Sequence, residues 1–436
     1  MSKFKNSAEA LDSALQLWPS AKHTNTSVSN IYDLNVYPLN PIVQGAGQTI
    51  SFNIPPQETG FLMDIETVAQ FHVTKIDANL PAKTQVSIVN NIGTAMFSLV
   101  EFRLEERINL LQQMSNSYNL CSFFETVLNN AVDRTDILAA REMFIMDGGS
   151  TKAKSEAAHY FIKDNVAVID NVGAQKRAKK IALSAKCTVK CKLNVPLVRQ
   201  HKALLPNTKL TITFTQNKAS YCVMGAEEDF KFHIDDLYLR CTYIKANPEL
   251  HRVIDSYLER HPVTYECDKQ VILARLLPQG SQHFTINNIF DHHNIPKFVL
   301  FALQHPESMS GKFGRDNFTF YPIKSLQMFV NNQQYFPKAL TNDTVHLLDQ
   351  IYKSVGRDIS GTCLVTGSNL VLNQFYTLVL TDDRSFGSHY NLKRNADTRI
   401  EIDIGEVTTH NFVLLAYCLY DTQITISKGG EVTINE

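Results

Sequence analysis

The sequence predicts an all-β chain built as two sandwiches in tandem, with a few short helices. Three observations lead there: apolar and polar residues alternate with period two through most of the chain, the length exceeds what one core can use, and a strand-to-helix unit recurs at a constant offset of about 227 residues. The chain has 436 residues, whereas a single hydrophobic core stops growing at roughly 250 to 300. Hydrophobic residues make up 44% and charged residues 19%, with 18 Gly and 15 Pro, a globular composition and not a disordered or collagen-like one. Lys+Arg total 42 against 43 Asp+Glu, a net charge of -1, so nothing in the whole-chain balance draws it to nucleic acid or an anionic membrane. Any charge argument is therefore local.

The first residues, Met1 to Lys5, lead into Ala8, Glu9 and Asp12 instead of a continuous apolar run, so a secretory signal is not expected. No apolar stretch approaches the roughly 18 residues of a membrane span; the best, Phe412 to Tyr420, is strand-sized, and a soluble protein is expected. Eight cysteines lie scattered in apolar runs without C-x-x-C pairs and are read as free buried thiols of a reducing compartment.

Residues 1–47 are read as an N-terminal arm. Ser7 to Trp18 places Leu11, Ala14, Leu15 and Trp18, the only Trp, on one helical face. That face either packs on its own domain or a neighbour, or anchors at a membrane, for which two lysines are few. Ser20 to Gln44 is polar, with Pro38 and Pro41, and reads as extended arm.

Strands follow at Thr49–Ile54, Phe71–Leu80, Phe97–Ile108, Cys187–Val195, Lys209–Thr215 and Phe230–Ile244. In Cys187 to Val195 every odd position is apolar and every even one polar. A linker helix is signalled by Asn247 as N-cap, Pro248 at the first helical position and Glu249 in the first turn, with Leu250, Val253, Ile254, Tyr257 and Leu258 as its apolar stripe and Pro262 as its stop. The second half continues with strands at Val263–Leu277, Phe284–Ile289, Phe298–Leu303, Ser325–Asn331, Asn369–Thr381, Arg399–Ile404 and Phe412–Ile426. Two more helices are predicted, one from near Asn116 that buries Leu120, Phe124 and Val127 and continues irregularly to Met146. The other runs from near Asp343 to Gly356 and buries Leu347, Leu348, Ile351 and Tyr352.

The repeat pairs Ser98 to Phe102 with Ser325 to Phe329, and Leu120 and Phe124 with Leu347 and Ile351. A shared strand-to-helix spacing is what duplication predicts, and each half then has a size that suits an eight-stranded jelly roll. The expected organisation is an arm at 1–47, a first jelly roll at 48–246, a linker helix at 247–262 and a second jelly roll at 263–436, consecutive in one double jelly roll.

Candidate chemistry is sparse. Asp291-His292-His293, His283 and His305 invite a metal reading, but adjacent strand histidines point to opposite faces, and the H-x-H pair of a double-barrel dioxygenase is absent. Gly45-Ala46-Gly47 lacks the rest of a dinucleotide fingerprint, and neither a phosphate-cradling loop nor a G-x-S-x-G elbow occurs. The acid pairs Glu105-Glu106, Glu227-Glu228 and Asp382-Asp383 read as solvated. No catalytic, cofactor-binding or metal-ligating residue is assigned, and no enzyme activity or cofactor is expected. The basic run Lys176, Arg177, Lys179 and Lys180 is open to three readings: an import signal, a phosphate-contacting patch, or a solvated face without aromatics to stack on bases.

Four sets of spaced patterns stand out: Thr59 to Ile65 leading into Phe71-His72-Val73; Met96 to Val100 with Asn109, Tyr118 and Phe124 to Leu128; Asn317 to Phe320 with Val330-Asn331-Asn332 and Pro337; and Thr398 to Ile402, Ala416 to Asp421 and Ile424 to Ile426. Through them the chain, from about Gln48 to Ile434, resembles the double jelly-roll major capsid proteins of the Polinton/Maverick and adintovirus group, within the adenovirus-type capsid lineage.

It implies a structural protein of the virion capsid, assembled in the host nucleus or cytoplasm, whose homotrimers form pseudo-hexagonal capsomers of an icosahedral shell. The implied partners are neighbouring capsomers, penton and minor capsid proteins, with non-specific contact to packaged DNA and an uncertain membrane contact. It also places the arm, with Leu11, Leu15 and Trp18, on the inner face. For the trimer contact the apolar loops Phe284–Ile295 and Gly311–Tyr321 are the natural candidates, with Phe290, Phe313, Phe318 and Tyr321. The alternative from another class is a two-jelly-roll carbohydrate-active enzyme or amidase, against which a single Trp argues and for which 16 Tyr leave room.

Overall fold

The computed structural model describes residues 27–76, 86–106, 108–147, 162–163, 166–167, 172–224, 230–290, 293–311, 318, 320–355, 363–366, 370, 374–381 and 395–435. Eight strands form the first sandwich: β1 (Val28–Val36), β2 (Thr49–Ile54), β3 (Gly60–Lys75), β4 (Phe97–Leu104), β5 (Ile108–Asn109), β6 (Cys187–Lys192), β7 (Leu210–Gln216) and β8 (Phe230–Ala246). One sheet has the order β1-β8-β3-β6 and the other β2-β7-β4-β5, with every pairing antiparallel. The second sandwich comprises β9 (Val263–Leu277), β10 (His283–Asn287), β11 (Phe298–Gln304), β12 (Ser325–Val330), β13 (Gln333–Gln334), β14 (Tyr376–Val379), β15 (Thr398–Asp403) and β16 (Phe412–Ile426). Its sheets run β9-β16-β11-β14 and β10-β15-β12-β13. Two short strands extend the second sandwich, Leu340–Thr341 paired with β12 and Val432–Asn435 paired with β16; apart from these, adding eight to each strand number of the first sandwich generates the second, which is the double jelly roll in topological form.

Why these segments become strands is visible in their burial. Along β7, Leu210, Ile212, Phe214 and Gln216 are buried while the three threonines between them are half-buried, the signature of a strand with one face in a core. β11 is buried along its whole length, as a strand flanked on both sides by β16 and β14 must be.

The four longest helices among the described residues are α1 (Ser117–Asn129), α2 (Val172–Lys180), α3 (Pro248–Leu258) and α4 (Thr344–Ser354). α1 lies between β5 and β6, and α4 between β13 and β14, so the repeat seen in the sequence is a repeat in the fold. α1 buries Leu120, Phe124 and Val127, and is followed by short helical turns that end at Arg141. α4 is capped by the Asp343 carboxylate, which accepts from the backbone N–H of His346, and buries Leu347 and Ile351.

Several expectations change. The strand expected at Phe71–Leu80 begins at Gly60, the one expected at Asn369–Thr381 is Tyr376–Val379 among the described residues, and Leu348 and Tyr352 of α4 are half-buried. Residues 28–36 fall in the expected arm by their polar composition, yet they form β1, paired along its length with β8. As an edge strand, β1 leaves most of its side chains in solvent, so it carries little of the alternation that marks a core strand. The linker helix forms as its end signals predict, with the Asn247 side chain accepting from the Glu249 N–H, but its stripe is divided: Ile254 and Leu258 pack against the core, while Leu250, Val253 and Tyr257 face solvent.

Candidate assembly surfaces

The two jelly rolls meet in a seam built head to tail. On the first roll it is made by α1 and the segment before it; on the second it is made by β9 and a cluster of aromatic side chains. Phe123 stacks on Phe318 with ring centroids 4.7 Å apart, and Phe124 packs against Phe320, Phe375 and Tyr417 at 5.4 to 5.7 Å. Such aromatic contacts add to the burial energy of each ring.

β9 is an edge strand, and its open backbone is taken up by a side chain. The Gln112 amide donates to the Ile272 carbonyl at 2.8 Å and accepts from the Ile272 N–H at 2.9 Å, standing in for a further strand. A polar network closes the seam. Glu125 pairs with Arg199 at 3.1 Å and accepts from Gln270 and from the Tyr417 hydroxyl, both at 3.2 Å; Asn194 donates to Gln270 at 3.0 Å. Burial, together with the nearby Glu125, holds the Tyr417 hydroxyl protonated far beyond its ordinary range. Gly311 shows how closely the bodies approach: its φ of 78° suits glycine, and a Cβ there would sit 2.8 Å from the Cβ of Tyr221.

These positions correct the trimer candidates. Phe318 and Phe290 are buried within the chain, the first by Phe123 of the other roll, so neither is free to meet a second copy. Tyr321 is half-buried, with its ring 5.0 Å from Phe412 and its N–H donated to the Leu303 carbonyl at 2.7 Å. Phe313 lies outside the described residues, as do the arm residues Leu11, Leu15 and Trp18.

The basic run is also divided. Arg177 is fully buried and anchors α2: its guanidinium donates to the carbonyls of Ile88 and Ile145 and to the Asp147 carboxylate, each at 2.8 Å. It therefore belongs to the core, whereas Lys176, Lys179 and Lys180 are exposed. Helical spacing explains this, since a residue between charged neighbours in sequence turns to another face of the helix.

The histidines scatter. His305 caps the helix Pro306–Ser310 by accepting from the Glu307 N–H at 3.2 Å, His293 pairs with Asp397 at 3.1 Å, and His283 lies 3.7 Å from Asp403. Asp291 and His292 are outside the described residues. Among the described residues no group of three His, Cys, Asp or Glu side chains is arranged to hold a metal ion. Glu105 and Glu106 sit with positive φ in the turn between β4 and β5, where Glu105 accepts from the Lys209 N–H at 2.8 Å. The pairs Glu227-Glu228 and Asp382-Asp383 lie outside the described residues. All eight cysteines are free thiols, and all but the half-buried Cys187 are buried.

Exposed apolar side chains gather elsewhere, at places the sequence reading passed over. Ile31 on β1, Tyr37 and Leu39 just beyond it, and Val345 on α4 are each more than half exposed.

No family model matches the sequence, and no curated protein matches it. Solved structures do. A chain in the cryo-EM structure of the Sputnik virophage is similar over 99% of this chain and 93% of its own, with a TM-score of 0.67 and 11% identity. The mavirus major capsid protein matches over 100% of this chain and 96% of its own, with a TM-score of 0.56 and 12% identity. A chain of the PBCV-1 virus capsid matches over 96% and 99%, again at 0.56 and 12%. At such identities the likeness is one of fold. It extends over essentially the whole chain, and the fold is the double jelly roll of viral major capsid proteins.

Proposed function

We propose that this protein is a viral major capsid protein whose homotrimers form pseudo-hexagonal capsomers of an icosahedral shell. The observation that carries the reading is the head-to-tail seam between two rolls of identical strand order. A head-to-tail contact uses one face of each body and leaves the complementary face of each unspent. The second roll still offers α4, the counterpart of α1, and the first still offers β1, the counterpart of β9. Repeating the seam between chains uses both faces, and a rotation of about one sixth of a turn per roll would close the ring after three copies, or six rolls. The exposed Val345 on α4, and Ile31, Tyr37 and Leu39 at β1, stand where this contact falls, in place of Phe290 and Phe318.

Within such a shell the partners are neighbouring capsomers, a penton protein and minor capsid proteins. Lys176 and Lys179, with Lys180, whose ammonium also donates to the Ala139 carbonyl, are the exposed cations of the basic run that would meet packaged DNA. The chain is read as non-enzymatic, its chemistry spent on cores and contacts. Light scattering with negative-stain imaging of the purified chain tests the proposal. Triangular or hexagonal particles of three chains are expected, and Tyr37→Glu combined with Val345→Glu should reduce them to monomers. A monomeric parent protein, or a trimer indifferent to both changes, would overturn the reading.

A further inference from the structure

The linker helix carries an exposed apolar face, against which the only ring contact among the described residues is that of His261 on Tyr257, at 4.6 Å. α3 is fixed to the body through Ile254 and Leu258, through the edge-on contact of His251 with the Phe61 ring at 5.8 Å, and through the ion pair of Glu259 with Lys428 at 2.9 Å. The adjoining side of the same stripe presents Leu250, Val253 and Tyr257 at 36%, 62% and 65% exposure. These residues sit at i, i+3 and i+7, one stripe along the whole helix. Burial energy for such side chains is on the order of 1.5 to 3 kcal/mol each, an unspent reserve on a rigid element.

The chain itself supplies a fitting occupant. The described residues begin at Ser27, whose carbonyl accepts from the Asn247 N–H at 2.9 Å, so the N-terminal segment joins the body at the cap of α3. Upstream, the sequence from Ser7 to Trp18 bears the apolar face of Leu11, Leu15 and Trp18. The eight residues 19–26 span up to about 26 to 29 Å when extended, and α3 is about 16 Å long. The tether therefore reaches any point on the stripe. A helix of a dozen residues is marginal alone in water and needs an apolar partner.

We infer that Ser7–Trp18 docks in cis on the Leu250, Val253 and Tyr257 face of α3, forming a two-helix clasp over the joint between the jelly rolls. The partner is this chain's own arm, and a neighbour's arm or a lipid surface is the competing outcome.

Trp18 is the only Trp, so its fluorescence reports the arm alone. In the full chain its emission should be blue-shifted, and protected from acrylamide, relative to the urea-unfolded chain. Val253→Asp with Tyr257→Ser should abolish both effects, and so should Leu11→Asp with Leu15→Asp. All four changes fall on solvent-facing α3 positions or on the arm, and circular dichroism checks that the body stays folded. The same measurement on the monomeric form, obtained with Tyr37→Glu and Val345→Glu if the parent is trimeric, should retain the protection. Protection lost on monomerisation would assign the contact to a neighbour's arm, and protection seen only with anionic vesicles would assign it to lipid. Protection indifferent to the α3 changes would place the arm elsewhere, and a solvent-exposed Trp18 in the parent protein would mean no docking. Each of these overturns the inference without bearing on trimer formation.

Discussion

Arg177 shows what one buried charge demands. Its guanidinium has no exposed surface and its carboxylate partner Asp147 almost none, so each is tolerated only because the other neutralises it and two carbonyls fill the remaining donor directions. Removing one partner leaves the other charged and desolvated. Arg177→Ala should cost about 3 to 5 kcal/mol in urea unfolding, while Lys176→Ala, one residue away but exposed, should stay within about 0.5 kcal/mol. Glu142 makes a pH prediction. Burial pushes its carboxyl up to about 7 against the nearby Arg141 and Arg199. Between roughly pH 4.5 and 7 the folded state then keeps a proton that the unfolded chain has released, so stability from this group is full below that window and lost as pH rises through it. Glu66 has the opposite sign: burial would raise its carboxyl, but Lys190 and Arg141 outweigh burial and hold it below its ordinary value. Urea titrations at pH 5 and 7.5 should show the parent protein losing roughly 2 kcal/mol more than Glu142→Gln over that interval. Equal losses would remove Glu142 from the account.

Among the elements, legibility in the sequence tracked burial. β2, β9 and β16 were read with their ends correct because each alternates or runs apolar between polar stops. β1 was missed because an edge strand with a solvated face has no reason to alternate. The start of α3 is legible, since the Asn247 side chain accepts from the Glu249 N–H and Pro248 has no N–H to satisfy, whatever the helix packs on; its end falls at Leu258, short of the expected stop at Pro262. One apolar stripe does not tell which part of it meets a core. The assembly residues failed for a related reason: an aromatic side chain in a loop looks the same whether it fills its own core, as Phe318 does, or awaits a partner. The 227-residue repeat held more of the site than any motif, because α1 and α4 recur at the same place in each roll. Gly311 tests the closeness of the seam at this scale. Gly311→Ala must move Tyr221 or the 311 backbone, and a thermal midpoint lowered by several degrees is expected, with Gly280→Ala, where no neighbour lies within 4 Å, as the control for positive φ alone.

At the scale of the molecule, the seam decides whether the two rolls are two folding units or one. Domains joined by an ordinary polar interface move and unfold independently. Here the boundary carries Phe123, Phe124, Phe318, Phe320, Phe375 and Tyr417, all buried, which makes it a continuation of the two cores. Separating the rolls would bare these six side chains and take from Glu125 the Gln270 amide and the Tyr417 hydroxyl that donate to it, a cost comparable with the stability of a whole domain at about 5 to 15 kcal/mol. The rolls should therefore unfold together, in a single calorimetric transition whose van't Hoff and calorimetric enthalpies agree. Phe124→Ala removes the ring that touches three aromatic partners across the seam, and it should split that transition in two by weakening the coupling more than either sandwich. The test belongs on the monomeric form, because trimer dissociation would otherwise shift the midpoint with concentration. Two transitions already present in the parent monomer would mean that the seam is a contact between finished domains, and repetition of the same contact between chains would then have only the matching strand order of the two rolls behind it.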